Sequence, residues 1–165
     1  MTKLSIIVPI YNEEAHLEVS VKRLLSTIYP IKREFIFVND GSTDKSGDLL
    51  SKLAELFDFV LITMPKNQGK GAAIRKGLEK ISGDLVMIQD ADFEYDPNDV
   101  PALLQPILED LADVVYGSRF KHNNLQVHRT YHYFVNRILT LLSNFLSGIY
   151  LSDMEPVTKF SDLIS

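Results

Sequence analysis

The chain has 165 residues, 45% of them hydrophobic and 24% charged, with eight Gly and seven Pro; this excludes a low-complexity or collagen-like polymer and indicates one soluble domain. It has no Cys, which excludes a disulfide scaffold, a zinc–thiolate site and a cysteine nucleophile, and at this length a core forms without such staples. Seventeen Lys and Arg against 22 Asp and Glu give a net charge of −5, which argues against nucleic acid as a partner, because that affinity comes mainly from phosphate neutralisation.

In chain order, Leu4 to Val8 reads as a buried strand ended by Pro9, and Asn12 is placed to cap a helix whose first turn holds Glu13 and Glu14. Leu17, Val21, Leu24, Leu25 and Ile28 keep helical spacing. Glu34 to Val38 is a second strand. Ser42 or Thr43 then caps a helix carrying Leu49, Leu50, Leu53 and Leu56. Phe59 to Ile62 makes a third strand, a helix runs around Ala72 to Ile81, and Leu85 to Ile88 make a fourth strand. A helix opened by Pro97 and a fifth strand from Val114 to Tyr116 follow. Strands alternating with helices predict an α/β fold with a mainly parallel sheet and flanking helices.

Beyond residue 117 the pattern changes. Residues 117–130 read as a polar loop, and Val135, Ile138, Leu139, Leu142, Phe145, Leu146 and Ile149 make one amphipathic helical stripe. That stripe can pack on the sheet or lie on a membrane surface. From Val114 to Ser152 there is no acidic residue, while Arg119, Lys121, Arg129 and Arg137 fall there, so the stretch is +4 and the remainder −9. Such asymmetry suggests a face that meets an anionic partner. The first apolar run is too short for a signal peptide, and no run reaches the ~20 residues of a membrane-spanning helix, so neither a secretory leader nor an anchor is expected.

In an open parallel sheet, ligands bind outside the carboxyl ends of the strands. The polar segments fall there: Pro9 to Glu13, Asn39 to Ser42, Asn67 to Gly71 and Gln89 to Asp92. Asp90 and Asp92, two apart in an extended segment, point the same way. Two hard carboxylates with open positions suit Mg²⁺ or Mn²⁺ shared with a substrate's phosphates; the same spacing also serves as a helix-capping turn. Asp40 can accept hydrogen bonds from a base or ribose, or start the Asp-Gly turn. Gly69-Lys70-Gly71 ahead of a helix offers N–H groups and an ammonium to a phosphate, or makes only a tight turn. Tyr11 can stack on a base or cover the sheet edge. The absence of Gly-x-Gly-x-x-Gly after the first strand argues against a dinucleotide-binding domain.

Five segments together carry a resemblance: Ser5-Ile-Ile-Val-Pro-Ile-Tyr-Asn-Glu-Glu14, Val38-Asn-Asp-Gly-Ser-Thr-Asp44, Asn67-Gln-Gly-Lys-Gly71, Gln89-Asp-Ala-Asp-Phe-Glu94 and Gly117-Ser-Arg-Phe120. They are similar to family 2 glycosyltransferases, and most resemble the polyprenyl-phosphate branch, with its dolichyl-phosphate mannosyltransferases and bacterial glucosyl and mannosyl relatives. The resemblance implies a GT-A fold over residues 1–155 and inverting transfer from a nucleotide sugar, of GDP-mannose or UDP-glucose type, to a polyprenyl phosphate. It places the enzyme in the cytoplasm, peripheral to the cytoplasmic membrane face. Carried over by motif, Pro9, Tyr11, Glu13, Val38 and Asp40 would hold the nucleoside. Asp90, Ala91, Asp92 and Glu94 would hold the metal and diphosphate, Arg119 would contact phosphate, and Arg129 would bind the acceptor phosphate.

The chemistry of such an acceptor fits these residues. A sugar hydroxyl needs a general base, whereas a phosphate monoester, with a second pKa near ~6, is already anionic at neutral pH. Were the acceptor a hydroxyl, Asp153 or Glu155 would be the base to test. Asp153-Met154-Glu155 resembles the start of an acceptor-side motif, but Pro156-Val157-Thr158-Lys159-Phe160 departs from its usual continuation. Residues 156–165 therefore read as a diverged or truncated tail. The alternative expectation is a catalytically incomplete nucleotide-sugar-binding module, for example one working with a membrane-anchored partner subunit.

Overall fold

The first apolar run forms strand β1, Lys3–Ile10, in a computed structural model that describes residues 2–91, 97–117 and 158–162. Helix α1 (Leu17–Ser26), strand β2 (Lys32–Asn39), helix α2 (Ser46–Leu56), strand β3 (Val60–Thr63), helix α3 (Lys70–Leu78) and strand β4 (Leu85–Ile88) follow. A single 3₁₀ turn at Pro97–Asp99 leads into helix α4 (Val100–Leu108) and strand β5 (Val114–Gly117). A further strand, β6, spans Thr158–Asp162.

The sheet order is β3-β2-β1-β4-β6-β5. Strands β3, β2, β1 and β4 are mutually parallel, with Ile7 level with Ile36 on one side and Ile88 on the other. Strand β6 lies between β4 and β5, antiparallel to both, with Lys159 opposite Ile88 and Tyr116. The predicted mainly parallel sheet is thus present, and an antiparallel strand completes it where the sequence pattern placed no element.

The strands are apolar on both faces because helices cover both. Leu4, Ile6, Val8 and Ile10 of β1 join Phe35 and Phe37 of β2 beneath Leu17, Val21 and Leu24 of α1, Leu50 and Leu53 of α2, and Leu104 of α4. The alternate residues Ile7, Ile36, Val38 and Val86 face the other way, with Ala73 of α3 and Met64. Helix α3 sits close on β1: a Cβ on Gly77 would come within 2.5 Å of the Ile7 side chain.

One predicted stripe runs longer than the helix that bears it. Helix α1 ends at Ser26, leaving Ile28 86% exposed, and Leu56 at the last turn of α2 is also exposed. The predicted caps are not formed either. Position N-cap of α1 is His16 and that of α2 is Lys45, neither with a side-chain capping bond. Asn12 instead takes a left-handed conformation with φ 55° and reaches across to the β2–α2 loop.

The rim opposite the carboxyl ends is closed by a polar staple. Glu34 of β2 accepts from Lys3 Nζ at 2.6 Å, Ser5 Oγ at 2.6 Å, and both the amide (2.6 Å) and hydroxyl (2.8 Å) of Ser82. These bonds hold the Glu34 carboxyl down at about 2: burial pushes it upward but is outweighed by the hydrogen bonds from Lys3, Ser5 and Ser82.

Candidate functional site

All four parallel strands end on one rim, and backbone bonds carry their pairing beyond the strand ends. The Asp40 amide donates to Ile10 O at 2.8 Å, Met64 N to Asn39 O at 2.8 Å, and Gln89 N to Ile7 O at 3.0 Å. The segments after β1, β2 and β4 and the start of α3 are thereby held around one cleft of about 370 Å³. Pro9, Ile10, Tyr11, Glu13, Asp40, Asn67, Gly69, Lys70, Asp90 and Ala91 line it.

Seven residues expected at the site therefore share one cavity: Pro9, Tyr11, Glu13, Asp40, Lys70, Asp90 and Ala91. Val38 does not line it; strand alternation turns its side chain into the core beside Ile7, Ile36 and Met64. Asp92, Glu94, Arg119 and Arg129 lie outside the described residues, as do the amphipathic stripe from Val135 to Ile149, Asp153 and Glu155. Ile10, Asn67 and Gly69 also line the cleft. Gly69 belongs to the Gly69-Lys70-Gly71 segment expected to offer N–H groups to a phosphate, whereas Ile10 and Asn67 fall in the strand-end segments without a charge or ring that singles them out.

Asp40 is 2% exposed, and its carboxylate fixes one wall of the cleft. Oδ1 accepts from the Gln68 amide at 2.9 Å and Oδ2 from the Gly69 amide at 2.8 Å, which ties the β3–α3 loop to the end of β2. Each oxygen keeps a second lone pair, so the group can hold the loop and still accept from a ligand. The next residue explains why the loop comes so near: Gly41 has φ 62°, and a Cβ there would lie 2.3 Å from the Lys66 carbonyl carbon.

A second set of bonds joins the β1–α1 and β2–α2 loops. Asn12 Oδ1 accepts from the Thr43 amide at 2.8 Å, the Asn12 amide donates to Ser42 Oγ at 3.1 Å, and the Glu13 amide donates to Ser46 Oγ at 2.9 Å. Glu14 and Asp44 reciprocate: Lys45 N donates to Glu14 Oε2 at 2.9 Å, and Glu14 N to Asp44 Oδ2 at 3.1 Å. The Asp44 carboxyl stays below its ordinary range: burial pushes it upward, but the bonds from Ser46 and the Glu14 amide together outweigh it. Residues that read as helix caps thus clamp two site loops together and position Tyr11 and Asp40.

On the β4 side, the buried Ser20 hydroxyl of α1 donates to the carbonyl of Ala91. Next to it, Lys70 Nζ lies 2.6 Å from Asp90 Oδ1 and 2.8 Å from Oδ2. The expected phosphate ligand and the expected metal ligand therefore pair with each other. The ammonium astride both oxygens shows that the Asp90 carboxylate already holds a cation, and a hard anionic oxygen donor is what Mg²⁺ or Mn²⁺ takes. Among the described residues there is no group of three or more His, Cys, Asp or Glu placed to hold a metal. Also among them, no helix is long and apolar enough to cross a membrane.

Known proteins share this arrangement of sequence and fold. The sequence profile described as "Glycosyl transferase family 2" matches residues 5–159. An undecaprenyl-phosphate 4-deoxy-4-formamido-L-arabinose transferase of Photorhabdus laumondii is 32% identical over 152 residues, covering 90% of this chain and 46% of that protein. A dolichol-phosphate mannosyltransferase of Pyrococcus furiosus is 30% identical over 118 residues, 72% of this chain and 33% of that one. The chain spans about half the length or less of these relatives. Among solved structures, glucosyl-3-phosphoglycerate synthase from Mycobacterium tuberculosis, in complex with Mn²⁺, UDP and glucosyl-3-phosphoglycerate, superposes with a TM-score of 0.73 at 23% identity, covering 98% of this chain and 57% of that one. The mannosyltransferase PcManGT from Pyrobaculum calidifontis, in complex with GDP-Man and Mn²⁺, gives 0.69 at 20% identity, covering 98% and 44%. The profile match over most of its length and the shared GT-A fold establish that this chain belongs to glycosyl transferase family 2.

Proposed function

We propose that this chain carries the donor site of a metal-dependent, inverting glycosyltransferase that moves a hexose from a nucleotide sugar to a polyprenyl phosphate at the cytoplasmic face of a membrane. The observation that carries the reading is the cleft itself. Tyr11, Asp40, Lys70 and Asp90 come from four separate segments and meet at the carboxyl ends of parallel strands, where such sheets bind ligands. The acceptor class rests on the relatives, two of which are named for transfer to or from undecaprenyl or dolichol phosphate.

In this reading Tyr11 offers a ring face to the base, and Asp40 accepts from the nucleoside with its free lone pairs. Asp90, with Asp92 and Glu94, would hold Mg²⁺ or Mn²⁺, and a divalent cation there supplies charge stabilisation to the departing diphosphate. Lys70 and Arg119 would face the donor's phosphates and Arg129 the acceptor's. An acceptor phosphate oxygen attacks the anomeric carbon, and the bond to the diphosphate breaks with its electron pair leaving on the nucleoside diphosphate. Because the acceptor is already anionic, no side chain has to take a proton. Orientation of the two phosphates is then the protein's main contribution.

The test is a transfer assay with radiolabelled GDP-mannose and UDP-glucose, offering either a short polyprenyl phosphate or the corresponding neutral polyprenol. Label in the polyprenyl phosphate product alone is expected. Label in the neutral alcohol would overturn the acceptor assignment.

A further inference from the structure

Lys70 and Asp90 answer to opposite ligands, yet each now occupies the other. Lys70 Nζ contacts both Asp90 oxygens, at 2.6 and 2.8 Å. Mg²⁺ binds such an oxygen at about 2.0–2.1 Å, so the ammonium stands where a cation bridging from Asp90 into the cleft would have to sit. The two cations cannot share that position.

The partners differ in freedom. Asp90 follows a strand pinned on both sides: the Gln89 amide bonds to Ile7 O at 3.0 Å, and Ser20 holds the Ala91 carbonyl. Lys70 is the first residue of α3, its side chain 53% exposed against 18% for Asp90. Its flexible four-carbon stem lets the charge leave without moving the helix. With the Lys70 side exposed, the pair is worth little by itself, so an arriving anion can dissolve it.

We propose that Lys70 is a tethered counter-ion: it keeps the Asp90 carboxylate closed to a divalent cation until a diphosphate draws the ammonium away, so that metal and donor load together. This rests on the cleft being a nucleotide-sugar site. It makes Lys70 a positioning residue with two opposite effects. Removing its charge should strengthen binding of a divalent cation alone and weaken binding of a nucleoside diphosphate. A lysine that only contacts phosphate gives the second effect without the first, and a lysine that only braces the fold gives neither.

The experiment measures Mn²⁺ binding, from the resonance of the free ion, to the wild-type chain, Lys70→Met, Lys70→Arg, Asp90→Asn and the Lys70→Met/Asp90→Asn double variant. It is done first without nucleotide and then with UDP or GDP. Lys70→Met is expected to bind Mn²⁺ alone about five-fold more tightly than wild type, at the lower end of ordinary coupling between sites, and to lose most of the tightening that nucleotide produces. Lys70→Arg, which keeps the charge, should behave as wild type. The proposal is overturned if Lys70→Met leaves Mn²⁺ affinity unchanged or lower while Asp90→Asn still abolishes it, an outcome that leaves the cleft's metal reading standing. It is equally overturned if Lys70→Arg tightens Mn²⁺ as much as Lys70→Met. Mn²⁺ binding that survives in the double variant would overturn the metal reading of the cleft as well.

Discussion

The Ser20 hydroxyl on α1 donates to the carbonyl of Ala91, 71 residues away, at the turn that presents Asp90 to the cleft. A core helix thereby sets the position of a candidate metal ligand. Ser20→Ala would leave a buried carbonyl without a partner, at a cost of about 1–3 kcal/mol. Urea unfolding should show that loss, and Mn²⁺-dependent nucleotide binding should weaken with it; stability and binding both equal to wild type would show that the bond contributes nothing.

Asp40 offers a sharper separation of scaffold from ligand contact. Asn at this position keeps one acceptor but turns an NH₂ toward either the Gln68 or the Gly69 amide, both now bonded to the carboxylate. Asp40→Asn should cost about 1–3 kcal/mol of stability and free the β3–α3 loop. Amide hydrogen exchange at Gln68 and Gly69 should speed up in this variant. Unchanged protection there would contradict the assigned bonds.

Gly41 should tolerate no side chain. Its φ of 62° is left-handed, and an added Cβ would sit 2.3 Å from Lys66 C and 2.5 Å from Asn67 N. Gly41→Ala must bear about 1–2 kcal/mol of conformational cost together with displacement of the loop that Asp40 holds. Reduced melting temperature and loss of nucleotide binding are expected together.

The Glu34 staple predicts an acid-sensitive sheet rim. Its carboxyl ordinarily titrates at 4.5 but is held at about 2 in the fold. A depressed folded pKa contributes stability that is present above 4.5 and disappears as pH falls toward about 2. Wild type should therefore exceed Glu34→Gln in urea midpoint at pH 7, with the gap closing between pH 4.5 and pH 2. A gap that stays constant across that interval would mean that the ionised carboxylate is not what holds the rim.

Much of this architecture is legible from local pattern. Leu85 to Ile88 reads as a strand with the bounds that β4 adopts, because a short apolar run between a Ser-Gly-Asp turn and an acidic segment leaves little else for it to be. The strand-end rule then gathers Tyr11, Asp40, Lys70 and Asp90 without any knowledge of distances. What escapes is decided by partners far along the chain. Asn12 has the chemistry of a helix cap and also of a left-handed turn, and Thr43, 31 residues on, settles the choice. Thr158 to Asp162 shows no apolar period, and its strand character comes from the edges of β4 and β5 that it pairs with. Val38 sits in a motif beside Asp40, yet the two-residue alternation of β2 sends its side chain to the core.

The central claim, that this cleft binds a nucleotide sugar through a cation on Asp90, is tested most directly by calorimetric titration of the wild-type chain and Asp90→Asn with GDP-mannose and UDP-glucose, in Mn²⁺ and in EDTA. Wild type should bind at least one donor about tenfold or more tightly with Mn²⁺, in keeping with ~1.5–3 kcal/mol for a charge-assisted contact, and Asp90→Asn should bind equally weakly in both. Donor affinity indifferent to the chelator, or a Mn²⁺ effect undiminished in Asp90→Asn, would contradict it.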